Sequence, residues 1–236
     1  MAEKKFSKGK IKITKDGPYL VLGSVPLGKE IIISDQNGVP KNWKSGEKYS
    51  VKETYSLCRC GQSSSKPFCD STHMKNSFDG TETADKRKYN QQAEKTVGPE
   101  LILTDVQKLC AVGRFCHRGG DAWELTELSH NPESKKMAIE DACDCPSGRL
   151  VAWDIKTKMP IEHDFKQSIG LIEDLFRKQS GPLWIKGGIP VLSSDGVSYE
   201  VRNRVTLCRC GKSKNKPFCD GTHCVIRFQD GDKFAN

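Results

Sequence analysis

The sequence has few apolar residues and no long apolar run, which limits the classes of protein it fits. Hydrophobic residues make up only 36% of the chain, and 21 glycines and 11 prolines interrupt them. No stretch of about eighteen consecutive apolar residues occurs, as a membrane-spanning helix requires. The lysine-rich segment 1–10 lacks the apolar stretch of a secretory signal. We therefore expect a cytoplasmic protein without a membrane anchor. We also expect its small hydrophobic core to be stabilised by something other than apolar burial.

The sequence also lacks the motifs of common enzyme and nucleic-acid-binding classes. No glycine-rich nucleotide loop follows a predicted strand, and no catalytic constellation is evident. The net charge is +8, but the lysines are scattered and are not interleaved with aromatic residues as at a nucleic-acid interface. We expect neither an enzyme nor a nucleic-acid-binding protein. The positive charge is compatible with acidic protein partners.

Cysteine is the residue type whose count is most informative. There are eleven cysteines, an odd number, and most lie in pairs separated by one residue or in short spaced sets. This spacing favours metal ligation over a disulfide framework and indicates a reducing compartment. Cys224 is left over and is interpreted as an ordinary free thiol.

An internal repeat divides the chain. The segment LCRCGQSSSKPFCDSTH at 57–73 recurs as LCRCGKSKNKPFCDGTH at 207–223, an offset of 150 residues. Upstream, GPYLVLGSVP at 17–26 pairs with GPLWIKGGIP at 181–190, so the first copy has about fourteen more residues in a connecting loop. Two related outer units therefore flank a different middle unit.

Alternation of apolar and polar residues predicts a strand ahead of each repeated motif. The alternating positions are Tyr49, Val51, Tyr55 and Leu57 in the first copy and Val197, Tyr199 and Val201 in the second. The segment 168–180 also suits an amphipathic helix, but the repeat aligns 169–174 with 11–16. We predict a strand there, followed by a loop or short turn.

The middle unit has helix-start patterns that the outer copies lack. Thr104 and Gln107 have capping-box spacing, and Asn131-Pro132 is typical of a helix N-cap with proline at the first helical position. A polar linker, 83–95, precedes this unit. The sequence predicts a β-rich α+β fold with an outer unit at 1–95, a middle α+β unit at 98–165 and a second outer unit at 166–236.

The repeated motif has the spacing of metal ligands. Cys58 and Cys60 are two residues apart, so an extended loop projects both thiolates to one side, where they grip one iron. Cys69 and His73 are four apart, on one face of a helical turn that Asp70 is suited to cap. The second copy repeats the set with Cys208, Cys210, Cys219 and His223.

The same donor set also occurs in tetrahedral zinc sites, which is the main alternative. Zinc fingers usually space their cysteine pairs by two to four residues, and the pairs here are separated by one. Within the motif, Gly61 and Gly211 are expected to allow close backbone approach, and Ser63 and Ser213 to donate hydrogen bonds to sulfur. A neutral imidazole in place of a fourth thiolate raises the reduction potential.

The motif resembles the signature of a known family. CRCGKSKNKPFCDGTH at 208–223 is similar to the signature of the CDGSH (NEET) iron-sulfur family, and 58–73 matches it apart from Ser71, where the family has glycine. The resemblance implies one 2Fe-2S cluster in each copy, held by the eight ligands named above. It also implies that the NEET-like β units form a pseudo-dimer within one monomeric chain.

The middle unit resembles a monocluster bacterial ferredoxin through Cys110, Cys116 and Cys145-Pro146. Gly113 stands where the central cysteine of that motif would be, so three thiolates remain, which suits a 3Fe-4S cluster. Cys143 lies two residues before Cys145 and would complete a 4Fe-4S site. The alternative is a ferredoxin-like unit that has lost its cluster.

These observations predict an electron-transfer protein that passes single electrons between its clusters and redox protein partners. The alternative function is transfer of clusters to apo iron-sulfur acceptors, or redox or pH sensing, with the histidine ligand as the release point. A third possibility is metal that serves only to stabilise a thin core.

Overall fold

A computed structural model describes residues 9–231, so most of the lysine-rich segment 1–10 lies outside the described residues. The first copy contains β1 (Lys10–Ile13), β2 (Tyr19–Leu22), β3 (Leu27–Ser34), β4 (Pro40–Tyr49), β5 (Thr54–Leu57) and α1 (Thr72–Lys75). The middle unit contains β6 (Glu94–Val97), β7 (Leu101–Asp105), α2 (Ala122–Glu127), α3 (Pro132–Asp144), β8 (Leu150–Asp154) and β9 (Pro160–Ile161). The second copy contains β10 (Ser168–Asp174), β11 (Gln179–Lys186), β12 (Val191–Leu192), β13 (Arg204–Leu207) and α4 (Thr222–Val225).

The two copies exchange strands. One sheet has the order β12-β1-β2-β5 and another has the order β13-β11-β10-β3-β4. In the first sheet β1 pairs in parallel with β12, with Ile11 opposite Val191. In the second sheet β10 pairs in parallel with β3, with Ile169 opposite Leu27. Each sheet therefore contains strands from both copies, as an intramolecular pseudo-dimer requires, and the β-rich α+β class is confirmed.

The exchanged strands enclose one hydrophobic core. It combines fully buried residues of the first copy, such as Ile11 and Val21, with Ile169, Leu171 and Leu207 of the second. Burial of such side chains stabilises the fold by roughly 1.5–3 kcal/mol each. Because neither copy encloses this core alone, the two copies should fold together.

The predicted strands ahead of the motifs are only partly observed. In the first copy Tyr55 and Leu57 are buried on β5, whereas Tyr49 ends β4 and Val51 lies in the connection. In the second copy the alternating segment 197–201 forms only an isolated bridge at Ser198, and the strand there begins at Arg204. The prediction of a strand through Val197 and Val201 is therefore wrong, because both side chains face solvent, with 54% and 52% exposure. The prediction of a strand and turn at 168–180 is confirmed by β10 and the turn before β11.

The middle unit packs α2 and α3 against a third sheet of order β6-β7-β8-β9. Helix α3 begins as predicted, with Pro132 at its start and the Asn131 side chain accepting hydrogen bonds from the backbone N–H groups of Glu133 (2.8 Å) and Ser134 (3.2 Å). The capping-box prediction at Thr104 is wrong. Thr104 lies on β7, where its buried hydroxyl donates to the Val151 carbonyl, and only a single 3₁₀ turn follows.

The middle unit is attached to the second of the two shared sheets. Phe115 stacks on Trp43 with ring centroids 5.0 Å apart, and Trp43 also contacts Trp184 at 4.6 Å. Arg114 forms an ion pair of 2.5 Å with Asp174 at the end of β10. Within residues 9–231, the helices are all too short or too polar to cross a membrane.

Candidate metal centres

The first repeated motif brings its four predicted ligands together as two pairs, here called site 1. The Cys58 and Cys60 sulfurs lie 3.7 Å apart on the loop after β5. The Cys69 sulfur lies 3.4 Å from Nδ1 of His73, because α1 turns the histidine back over the third cysteine. Cys58 and Cys60 are buried, whereas Cys69 and His73 are partly exposed.

The second motif repeats this geometry at what is here called site 2. The Cys208 and Cys210 sulfurs lie 3.6 Å apart, and the Cys219 sulfur lies 3.3 Å from Nδ1 of His223. All four side chains are buried, with His223 only 5% exposed. The second site therefore has the same donors as the first, but they lie beneath the surface.

The pair distances fit two ligands on each of two metals. Donors bound tetrahedrally at about 2.3 Å for sulfur and about 2.0 Å for nitrogen lie about 3.5–3.8 Å apart. The observed pairs are close to this spacing. Across residues 9–231, no group of three or more His, Cys, Asp or Glu side chains is arranged to hold a single metal ion. The donors therefore fit a two-metal cluster better than mononuclear zinc.

The serines of the two motifs brace their loops and do not donate to sulfur, contrary to the prediction. The Ser63 hydroxyl donates to the Phe68 carbonyl at 2.7 Å, and Ser213 does the same with Phe218. A backbone N–H, that of Ser71 in site 1, lies 3.4 Å from the Cys69 sulfur. These bonds hold the loop shape that sets the positions of the ligands.

Asp70 joins α1 to the motif loop, but it is not the predicted helix cap. The N-cap position is Ser71 in a left-handed conformation, and Cys69 lies before the helix. The Asp70 carboxylate accepts hydrogen bonds from the backbone N–H groups of Thr72 (2.9 Å) and Ser64 (2.7 Å). The bonds from Thr72 and Ser64 hold the pKa of Asp70 well below its usual range. Asp220 makes the equivalent bonds to Thr222 and Lys214, so both turns are stabilised by an ionised carboxylate.

The two motif loops meet back to back. Gly61 and Gly211 both have positive φ of 77°. A Cβ on Gly61 would lie 2.6 Å from the Cys210 carbonyl oxygen, and one on Gly211 would lie 2.3 Å from that of Cys60. The close backbone approach that we predicted for these glycines is present, but it serves contact between the two loops.

The buried cysteines of site 2 influence each other's ionisation. The contact with Cys210, together with backbone N–H groups of Ser213 and Gly211, lowers the pKa of Cys208 to about 6 despite burial. The same contact and burial raise the pKa of Cys210. Burial lowers the pKa of His223 to about 4, with Arg209 acting in the same direction. A neutral imidazole and an available thiolate are the forms that bind metal.

The middle unit brings three of its four predicted ligands to one cavity. Cys110, Cys116 and Cys145 line it together with Gly113 and Arg149. Burial raises the pKa of the Cys116 thiol to about 12, and the neighbouring Cys145 acts in the same direction. The Arg149 guanidinium supplies a positive charge beside these thiols and is held by Asp105 at 2.6 Å. Three thiols that line one cavity beside a fixed cation are compatible with a cluster that has three protein ligands.

Cys143 is not part of this group. It is buried on α3, and its sulfur lies 3.4 Å from the Ile161 carbonyl, on the side of β9. Gly113, at the position of the absent central cysteine, has little room for a side chain, because its Cβ would lie 3.0 Å from Cδ of Pro146. The structure therefore places three thiols at the middle site and leaves Cys143 outside.

The middle site lies directly against site 2. A Cβ on Gly221 would lie 2.7 Å from Cγ2 of Val112 and 3.3 Å from the carbonyl oxygen of Cys110. The fully buried Arg204 of β13 donates to the Cys145 carbonyl at 2.7 Å. The Cys224 sulfur lies 3.4 Å from Nε2 of His223, so this thiol covers the outer edge of the imidazole. The middle unit thus buries the histidine turn of site 2, and site 1 has no such cover within the described residues.

Comparison with known families agrees with this geometry. The model of the iron-binding zinc finger CDGSH type matches residues 16–74 and 180–224. The model of the divergent 4Fe-4S mono-cluster matches residues 96–155 between them. The chain is an iron-sulfur protein with two CDGSH regions around a divergent mono-cluster region. No curated protein and no solved structure matches it significantly.

Sequence reasoning missed several residues that surround the CDGSH sites. Arg59 and Arg209, between the first two cysteines of each motif, are buried beside the ligands. Tyr19 donates from β2 to the carbonyls of Cys208 (2.8 Å) and Pro217 (3.2 Å) in the other copy. The aligned position of the second copy is Leu183, which has no hydroxyl. This difference between two otherwise similar copies was the sequence signal that set Tyr19 apart.

Proposed function

We propose that this protein is a one-electron carrier with a 2Fe-2S cluster at each CDGSH site and a third cluster in the middle unit. When bound, such clusters accept and release single electrons. The observation that carries the proposal is the arrangement of four pairs of donors, together with three thiols that line one cavity packed against site 2. The chain's own residues hold, shield and separate these centres.

The middle centre is proposed as 3Fe-4S, held by Cys110, Cys116 and Cys145. The cavity that these thiols share supports three ligands, and the contact of Cys143 with the Ile161 carbonyl supports its exclusion. A 4Fe-4S cluster is the alternative, and it needs a fourth ligand. Replacement of Cys143 by serine should leave the electron paramagnetic resonance signal of the oxidised middle cluster unchanged. Loss of that signal would assign Cys143 as a ligand.

The partners are proposed to be redox proteins with acidic surfaces, and the location to be the cytoplasm. The net charge of +8 favours acidic partners, and all eleven cysteines, which lie within the described residues, are free of disulfides. The shared core of the two copies supports a monomer with an internal pseudo-dimer. We propose no catalytic role.

Cluster transfer is a second candidate function, which one observation favours. At site 1, Cys69 and His73 are partly exposed on a single turn, so an acceptor protein has access to two of the four ligands. Site 2 offers no such access, because its third cysteine and histidine are buried. Transfer or sensing would therefore operate through site 1.

The experiment that separates these functions follows the visible absorbance of anaerobically purified protein through one cycle of dithionite reduction and air oxidation. An electron carrier bleaches and recovers fully, with iron and sulfide retained. The same protein is then mixed with an apo-ferredoxin. Delivery of clusters to the acceptor at a rate faster than their spontaneous loss would overturn electron transfer in favour of cluster transfer. The variant His73→Cys serves as the control, since a thiolate ligand should slow release from site 1.

A further inference from the structure

Each CDGSH loop carries an arginine between its first two cysteines, and the two arginines have different surroundings. Arg59 is 2% exposed and Arg209 is 3% exposed. A guanidinium remains charged at every pH that the protein tolerates. A buried charge is costly unless it is paired, so the partners of these two side chains decide the local charge at each site.

Arg209 at site 2 is paired with two carboxylates. Its Nη2 lies 2.5 Å from Oε1 of Glu173, and its Nη1 donates to Asp230. Its other hydrogen bonds go to backbone carbonyls, with Nε donating to Gly181 at 2.6 Å and Nη2 to Ile172 at 3.1 Å, and the ring of Phe228 lies 5.7 Å from its Cζ. The positive charge beside Cys208 and Cys210 is therefore balanced by negative charge.

Within the described part of the chain, Arg59 at site 1 makes no direct contact with a carboxylate. Its charge helps hydrogen bonds from Thr81 to lower the pKa of Asp79, but that carboxylate is exposed to water, which screens the interaction. The Nη2 of Arg59 donates to the Gly80 carbonyl, and within residues 9–231 its Nε and Nη1 have no hydrogen-bond partner. The rings of Tyr19 and Phe78 lie 5.8 Å and 5.3 Å from its Cζ. Aromatic faces stabilise a cation but do not cancel its charge.

The repeat explains the difference. At the offset of 150 that relates the two motifs, Asp230 aligns with Gly80. In the alignment of 169–174 with 11–16, Glu173 corresponds to Lys15. Both carboxylates that balance Arg209 are thus absent from the first copy, and one of them is replaced by a cation.

We propose that this charge asymmetry orders the reduction potentials of the two CDGSH sites, with site 1 the higher, so that the first electron added to the protein comes to rest at site 1. This inference rests on the proposed function, since it requires a cluster at each site. A one-electron donor loses the electron and site 1 gains it. The unbalanced Arg59 charge stabilises the added negative charge, whereas the carboxylates around Arg209 oppose it. Greater exposure of site 1 to water acts in the same direction.

The test is a potentiometric titration with dithionite, monitored by electron paramagnetic resonance at pH 8. Burial raises the pKa of Glu173 to about 7, so this carboxyl is largely ionised at that pH. The His73→Cys variant alters the spectrum of site 1 alone and assigns the signals. In the wild-type protein, the signal of reduced site 1 should appear at a higher potential than the signal of reduced site 2.

Variants then separate charge from exposure. The double substitution Glu173→Gln with Asp230→Asn should shift the site 2 potential upward and narrow the gap, leaving site 1 unchanged. Arg59→Gln should lower the reduction potential of site 1. Arg59→Lys retains the positive charge and should leave that potential close to its original value. Glu47→Gln is the matched control, because it removes one carboxylate from the exposed surface of β4, where Glu47 pairs with Lys29.

Each outcome has one meaning. Two results would overturn the proposal that the charges order the potentials, while leaving the proposed function intact. One is reduction of site 2 before site 1. The other is a double variant whose site 2 potential shifts no more than it does in Glu47→Gln. If Arg59→Gln does not fold, the carboxylate variants decide the question, because they alter only the partners of Arg209. Folded samples that contain no iron and sulfide reject the proposed function, and this proposal with it.

Discussion

The two CDGSH sites have the same ligands and nearly the same ligand spacing, yet they differ in what surrounds them. Site 1 presents Cys69 and His73 to solvent, and the next residue, Met74, is 76% exposed. At site 2 the middle unit covers the equivalent turn, and His223 is 5% exposed. A repeat that preserves the donors has therefore produced one accessible and one enclosed centre.

The comparison teaches that the ligand motif sets the donors, while the neighbouring units set access and charge. Ser71 illustrates this point. It occupies a left-handed conformation with φ of 70°, and Gly221 at the same position of site 2 has φ of 85°. Position 71 has room for a side chain because that turn faces solvent. Position 221 has none, because Val112 and the Cys110 carbonyl occupy the space that a Cβ would need.

The largest effect that sharpens this comparison is expected from Gly221→Ser. The new Cβ would lie 2.7 Å from Val112, and the left-handed backbone adds strain, so we expect a loss of about 2–4 kcal/mol of stability together with disruption of site 2. Chemical unfolding and iron content measure the two effects. Gly196→Ser is the control, since Gly196 also has φ of 85° but a Cβ there meets nothing within 4 Å. Equal losses in both variants would remove the contact with the middle unit as the cause.

Acid should release the cluster of site 1 before that of site 2. Protons compete with the metal for a neutral imidazole. Because burial lowers the pKa of His223 to about 4, protonation at site 2 is opposed until the pH approaches that value. At pH 5 we expect loss of visible absorbance in two phases whose rates differ by about tenfold or more. The faster phase should slow in His73→Cys. A faster phase that instead responds to His223→Cys would reverse the assignment.

Tyr19→Phe should weaken site 2 although Tyr19 belongs to the first copy. The substitution leaves the carbonyls of Cys208 and Pro217 without their hydroxyl donor, which costs about 1–2 kcal/mol. Loss of absorbance assigned to site 2 should be faster, with site 1 unaffected. Tyr55→Phe is the matched control, because its hydroxyl bonds the Val25 carbonyl at 2.7 Å, outside the motif loops. An equal effect of both substitutions on site 2 would show that only general stability had changed.

The smallest expected effect is a gain from Ser71→Gly. Relief of the left-handed conformation is worth about 1 kcal/mol, and the greater freedom of glycine in the unfolded chain offsets part of it. We expect a net stabilisation of about 0.5 kcal/mol in chemical unfolding, with unchanged iron content. A destabilised variant would mean that the Ser71 side chain makes a contact of its own in solution.

Local features of the molecule were predictable from the sequence where the chemistry is local. The start of α3 follows from Asn131 and Pro132. The pairing of Cys69 with His73 was also predicted, but the two residues do not share a helical turn, because α1 begins only after the left-handed Ser71. Thr104 shows the limit of such reasoning. Its capping-box spacing was overridden because β7 pairs with β8 and buries its hydroxyl.

Features that depend on distant pairing were not predictable. The exchange of β1 and β10 between the copies joins residues far apart in the chain, such as Ile11 and Val191. The cover over His223 requires the middle unit to dock, which no local pattern encodes. The three thiols of the middle site were predicted from cysteine spacing, but the contact of Cys143 with the Ile161 carbonyl, away from the cavity that these thiols line, required the fold.

The most direct test of the account is the iron and acid-labile sulfide content of anaerobically purified protein, measured with its zinc content. Two 2Fe-2S clusters and a filled middle site predict about seven or eight irons per chain, with sulfide in similar amount and little zinc. About four irons would contradict the third centre and confine the clusters to the CDGSH sites. Zinc in place of iron, without sulfide, would contradict the account as a whole.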